Sequence, residues 1–118
     1  MSNPSKQKGT AAESAVVAWM RAHGAPTAER RALAGNRDLG DITGLGPGVC
    51  VEVKACRDMS LAAWVDEVQV EAANADADVP VVIHKRRGRT DVGEWYFTMR
   101  VADGWDLLRQ AGWIGEAE

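Results

Sequence analysis

The stretch Leu39-Gly-Asp-Ile-Thr-Gly-Leu-Gly-Pro-Gly-Val-Cys-Val-Glu-Val-Lys54 decides how this chain is read. Its second half alternates strictly. Val49, Val51 and Val53 take one face of a strand, and Cys50, Glu52 and Lys54 take the other. Gly44-Leu-Gly-Pro-Gly48 is a turn, and Asp41-Ile42-Thr43 before it is long enough only for a strand end. The pattern predicts a hairpin with a glycine-rich tip, its valines turned to the core. Asp41, across the turn, is then placed to reach the patch that carries Glu52 and Lys54.

Two carboxylates converging beside a lysine suit a hard divalent cation. Mg²⁺ takes one or two carboxylates, keeps several waters and binds substrate phosphate. Such an ion polarises a phosphoryl oxygen and activates water, while a lysine stabilises the charge that develops on the phosphate. Adjacent carboxylates also disfavour one another's ionisation, so the group should hold a raised pKa, and metal affinity should vary with pH. A Glu-x-Lys pair alone is ordinarily solvated alternation on an exposed strand. Its combination with Gly-Asp-Ile, a tight turn and a following amphipathic helix singles this one out.

Upstream, residues Met1 to Gly9 read as a polar arm carrying Lys6 and Lys8. Thr10-Ala-Ala-Glu13 has capping-box form and opens a helix whose Ala12, Ala15, Val16, Trp19 and Met20 share a face, ended by Gly24 and Pro26. Thr27 to Ala34 is a modest strand bearing Arg30 and Arg31, and Arg37 lies in the loop that follows. Downstream, Ser60 is placed to cap a second helix. Leu61, Trp64, Val65, Val68 and Ala72 make its apolar stripe, with Asp66, Glu67 and Glu71 outside it. Val79 to Ile83 is a short apolar run, hence a buried strand with Pro80 near its start. Glu94 to Arg100 is a strand paired with it, and Asp103 to Ala111 a third helix. The expectation is one α/β domain over 10–118, with a mixed central sheet flanked by helices in the order αβββαββα.

A chain of 118 residues buries roughly two thirds of its unfolded surface and needs no disulfide to fold. Cys50 and Cys56 are not spaced as a C-x-x-C pair and have no histidine cluster to complete a zinc site, which points to a reducing interior. There is no stretch of signal-peptide character and no membrane-length apolar run, so a soluble, cytoplasmic protein is expected. The net charge of −3 does not favour nucleic acid, but the charge is unevenly placed. Lys85, Arg86, Arg87 and Arg89 cluster without an intervening acid, and phosphate contact is their natural use. Arg30, Arg31, Arg37, Lys6 and Lys8 are candidates to continue that track. His23 and His84 read as structural. Trp95-Tyr96-Phe97 fits core packing or a subunit interface better than base stacking. Gly44-x-Gly46 lacks the helix that a dinucleotide fingerprint requires.

With these residues in view, the chain resembles the PD-(D/E)xK nuclease superfamily, and most closely the archaeal-type and phage Holliday junction resolvases. The resemblance rests on Gly40-Asp41-Ile42, on Val51-Glu52-Val53-Lys54, and on Lys8-Gly9-Thr10-Ala-Ala-Glu13 followed by Val17, Trp19 and Gly24. It spans roughly Lys8 to Met99 as an order of elements, with Leu39-Gly40 in place of the proline that names the family. It implies a restriction-endonuclease-like fold. It implies Mg²⁺, for which Mn²⁺ substitutes, held by Asp41, Glu52 and the Val53 carbonyl, with Glu13 as an outer carboxylate and Lys54 acting on water or phosphate. Glu13 is equally explained as a helix cap. Gln69 matches a glutamine that contacts the site in related nucleases, and is otherwise an ordinary boundary polar residue. The implied substrate is branched DNA, cut by a homodimer inside a bacterial or phage-infected cell.

Overall fold

The strand Val49–Lys54, β3, is the centre of the protein. The computed structural model describes residues 4–32 and 39–116, with side chains from residue 8 onward. In chain order the elements are α1 (Pro4–Ala22), β1 (Glu29–Arg30), β2 (Ile42–Thr43), β3, α2 (Leu61–Ala75), β4 (Val79–His84), a 3₁₀ turn (Val92–Glu94), β5 (Tyr96–Thr98) and α3 (Val101–Gln110). The expected α/β class is borne out. The five strands lie in sequence order in one mixed sheet. Among the described residues only the β3–β4 pair is parallel, aligned from Val49↔Val79 to Lys54↔His84, and α2 makes the crossover between them.

Helices cover both faces, so the two central strands are buried on both sides, as parallel pairs require. Against α1, Val51, Val53, Val81 and Ile83 pack with Ala12, Val16 and Val17, and Ile42 and Trp95 close the cluster. Against α2, Cys50 and Val82 pack with Trp64, Val68 and Ala72. The face of β3 that carries Cys50, Glu52 and Lys54 is therefore the floor of a second layer, and Glu52 is only 6% exposed.

Several boundaries differ from expectation for local reasons. The helix α1 starts at Pro4, so residues 4–9 are its first turns. Proline suits the first helical position because its missing N–H would be unbonded there anyway, and lysine and glutamine are fair helix formers. Thr10 and Glu13 thus lie inside the helix, and the capping box does not form. Ser60 stands at the N-cap of α2 but its side chain makes no capping bond. The strand β5 is short because Asp91 accepts from the Gly93 amide at 2.9 Å and winds Val92–Glu94 into a 3₁₀ turn before it.

Two glycines set the hairpin. Gly44 has φ +83°, and a Cβ there would collide with the Thr27 carbonyl; the Thr27 hydroxyl instead donates to the Gly44 carbonyl at 2.6 Å, tying the tip to the approach to β1. Gly40 has φ +96°, and a Cβ would fall 2.9 Å from Cys50 Sγ and 3.1 Å from the Val51 carbonyl. That close approach lets the next residue, Asp41, bond β3. Among the described residues, no helix is long and apolar enough to cross a membrane.

Candidate functional site

The hairpin positions the first carboxylate. β2 pairs with β3 at Ile42↔Val51, and the Asp41 amide donates to the Val51 carbonyl at 2.8 Å. Beyond that point the ladder ends, and the Val53 N–H donates to Asp41 Oδ2 at 2.7 Å. A side chain replaces the backbone partner, which fixes the Asp41 carboxyl beside β3. Val53 enters the site through this N–H.

Glu52 projects from the opposite side of β3 to its valine neighbours, toward α2, and its carboxyl bridges two others. Asp41 contacts it from the hairpin and Glu71 from α2. Glu71 is 2% exposed. Burial, then the Glu52 charge, then Glu13 push the Asp41 pKa up to about 8 against the opposing Val53 hydrogen bond. Burial and the adjoining Glu71 push Glu52 up to about 9, against Asp41 and the Lys54 charge. Ionisation of this group is therefore disfavoured near neutral pH unless a cation takes the place of a proton. Glu52 Oε2 is buried and receives no hydrogen bond from a nitrogen or hydroxyl of a described residue.

Lys54 completes the group. Its Nζ lies 3.0 Å from Glu67 Oε2 and 3.6 Å from Glu52 Oε1. Burial disfavours the ammonium, but the Glu67 hydrogen bond and the charges of Glu52, Glu67 and Asp41 outweigh it and hold the pKa above the ordinary lysine value. Glu52, Glu67 and Glu71 each offer an oxygen within 4.8 Å of the others, so these three acids can hold a metal ion between them. Asp41 adjoins this triplet through Glu52 without being part of it.

The structure thus brings Asp41, Glu52 and Lys54 together and adds Glu67 and Glu71, which the sequence reading set outside the α2 stripe. Glu13 has no capping role; it ion-pairs with Arg30 at 2.9 Å and acts on Asp41 through its charge. Gln69 is not brought to the acids. It lies two residues from both Glu67 and Glu71, hence on another side of α2, and its amide donates to Asp103 Oδ2 at 3.2 Å.

The basic residues separate into two sets. Lys8, Arg57, Lys85 and Arg87 surround a cavity of about 430 Å³ floored by Ala11, Ala12 and Ala15. Arg86 joins Arg57, Lys85 and Arg87 around a second cavity of about 300 Å³, which Lys54 also lines. Arg57, three residues beyond β3, was not anticipated, although its place after the strand end was available as a signal. Arg89 lies 3.9 Å from Glu94, so the cluster does have an acid partner, and Arg30 is held by Glu13. The Arg31 amide bonds the Asp41 carbonyl, and its Nε is buried without a hydrogen bond among the described residues. The Lys6 side chain and Arg37 lie outside the described residues. His84 is buried, as a structural histidine should be.

Comparison of the chain with protein-family models, with curated proteins and with solved structures found no match.

Proposed function

We propose that this protein is a divalent-cation-dependent nuclease that hydrolyses phosphodiester bonds in DNA. The observation that carries the reading is the contact of the Asp41 carboxyl, just before β2, with the Glu52 carboxyl on β3, the Lys54 ammonium lying 3.6 Å from Glu52. The donor set fits a hard cation. Its side-chain donors are all carboxylates, their pKa values are raised so that a cation would displace protons, and Glu52 Oε2 is a buried acceptor lacking a conventional donor. Asp41 and Glu52 would hold Mg²⁺ or Mn²⁺, with the Val53 carbonyl as a further ligand and Glu71 supporting Glu52 from below. When bound, the ion supplies Lewis acidity to the phosphoryl oxygen and acidifies a coordinated water. Lys54 stabilises charge on the phosphate or orients the attacking water, and Glu13 acts on Asp41 from outside through its charge.

Branched DNA is the substrate we favour, on the resemblance to junction resolvases, with two copies of the chain cutting symmetric strands. The helix α3 supports a second copy: it buries none of its residues, and Val101, Trp105 and the nearby Trp113 are 84%, 51% and 80% exposed. The test is Mg²⁺-dependent cleavage of four-way junctions beside flap, linear and single-stranded DNA. Faster cleavage of the junction supports the resolvase, and equal rates on all four leave a nuclease of another class, such as a nickase, flap or restriction-type enzyme. Absence of cleavage with every divalent ion removes the enzyme.

A second reading is a nucleic-acid-binding module without catalysis. The 3.0 Å pairing of Lys54 with Glu67 favours it, because an amine so neutralised serves the structure rather than a phosphate. It predicts that Asp41→Asn changes nothing but stability.

A further inference from the structure

The smaller cavity lies where β3 and β4 end side by side, at the carboxyl ends of two parallel strands, a common position for ligands in open α/β sheets. Trp64, His84 and Tyr96 form its aromatic wall, and Arg57, Lys85, Arg86 and Arg87 its charged rim. His84 organises the wall. Its Nε2 is hydrogen-bonded to the Thr98 hydroxyl at 2.7 Å, and its ring lies 5.7 Å from Trp64 and 5.2 Å from Tyr96. Tyr96 is 46% exposed, so part of its ring surface is open to a visitor. Aromatic surface beside guanidinium groups is the chemistry that receives a nucleotide, whose base stacks while its phosphate is bonded. The volume of about 300 Å³ is at the lower end of small-ligand sites, which suits one nucleotide and excludes a duplex. The larger cavity, floored by alanines, has no comparable exposed ring.

We propose that this cavity receives one unstacked nucleotide of a nucleic-acid strand, with Tyr96 stacking on its base and Arg57 and Arg86 meeting its phosphate. The aromatic cluster, read from sequence as better suited to packing or an interface than to base stacking, divides here: Trp95 is in the core, whereas Tyr96 lines the cavity. Lys54 lines the cavity and also lies 3.6 Å from Glu52, so a nucleotide held here has its neighbouring phosphate beside the acids. The link to cleavage rests on the nuclease reading; binding of the nucleotide does not. If both hold, the substrate class narrows to strands with an unpaired or easily unstacked nucleotide next to the cut, and continuous duplex is disfavoured.

The test separates the two. Deoxyadenosine monophosphate, deoxyadenosine and inorganic phosphate are titrated calorimetrically onto the full chain in EDTA, where no cleavage occurs. The monophosphate should bind more tightly than either fragment. Tyr96→Ala should weaken it about five- to a hundredfold, Tyr96→Phe should retain it, and Arg86→Ala should bring it toward the nucleoside. Phe97→Ala, on the same strand but facing the other side of the sheet, should leave it unchanged. Phosphate binding as tightly as the monophosphate, or unaltered affinity in Tyr96→Ala, overturns the proposal. A protein that binds the nucleotide but never cleaves with Mg²⁺ keeps the cavity and loses the nuclease; cleavage without nucleotide binding does the reverse.

Discussion

The two faces of β3 are one residue apart in sequence and opposite in character. Toward α1, Val51 and Val53 meet Ala12, Val16 and Val17, and nothing in that cluster titrates. Toward α2, Cys50 packs normally with Trp64 and Val68, but Glu52, Lys54, Glu71 and His84 are set into the same layer. Apolar burial on the first face stabilises the chain at roughly 25 cal/mol per Å² removed from water. Burial of acids on the second works against folding, since each must hold a proton or find a cation. One face makes the strand stay in place, and the other uses that rigidity to keep like charges together.

The strongest way to break this contrast is to put a charge on the quiet face. Val51→Asp should abolish the cooperative thermal unfolding transition seen by circular dichroism, because an unpaired carboxylate there has no partner and no solvent. A folded Val51→Asp protein would mean that the two faces are equivalent after all. On the other face, Glu52→Gln and Asp41→Asn should leave the fold intact and lower Mg²⁺-dependent cleavage by about a thousandfold, as loss of a metal-binding carboxylate does. Wild-type rates in either variant would detach the acids from the chemistry.

The pH response sharpens the comparison further. The folded chain holds protons on Asp41 and Glu52 up to about 8 and 9, whereas the unfolded chain releases them in the ordinary carboxylate range. Between those limits the native state binds more protons, so stability in EDTA should fall as pH rises. Thermal melts from pH 5 to pH 9 should show the decline, and Glu52→Gln should flatten it. Magnesium should oppose it at the alkaline end, by about 2.7 kcal/mol at a hundredfold excess over its Kd. Melting temperatures independent of pH would show that burial does not hold those protons. The smallest effect is reserved for Gln69→Ala, which loses its bond to Asp103 and should cost about 1 kcal/mol in a urea titration with cleavage unchanged.

Much of this was legible in the chain itself. Strict alternation over Val49–Lys54 and the glycines before it specify the hairpin, because a period of two and a tight turn have few other solutions. Asp41, Glu52 and Lys54 follow from that register. The acids of α2 were hidden by their polarity. Glu71 stands seven residues after Trp64 and three after Val68, on the apolar stripe by spacing, and a stripe drawn from hydrophobic residues alone leaves it out. The start of α1 was obscured in the same manner, since Lys6, Gln7 and Lys8 resemble a tail by charge and a helix by propensity. Gln69 misled because a likeness of motif does not carry the rotation of a helix about its axis.

The two thiols differ in one respect that makes the molecule unusually convenient. Cys50 is sealed beneath α2, while Cys56 is exposed and lies on the wall shared by both cavities. A maleimide dye would therefore attach at a single native position without any engineered residue. Its emission would register whatever enters either opening, long before the identity of that visitor is known.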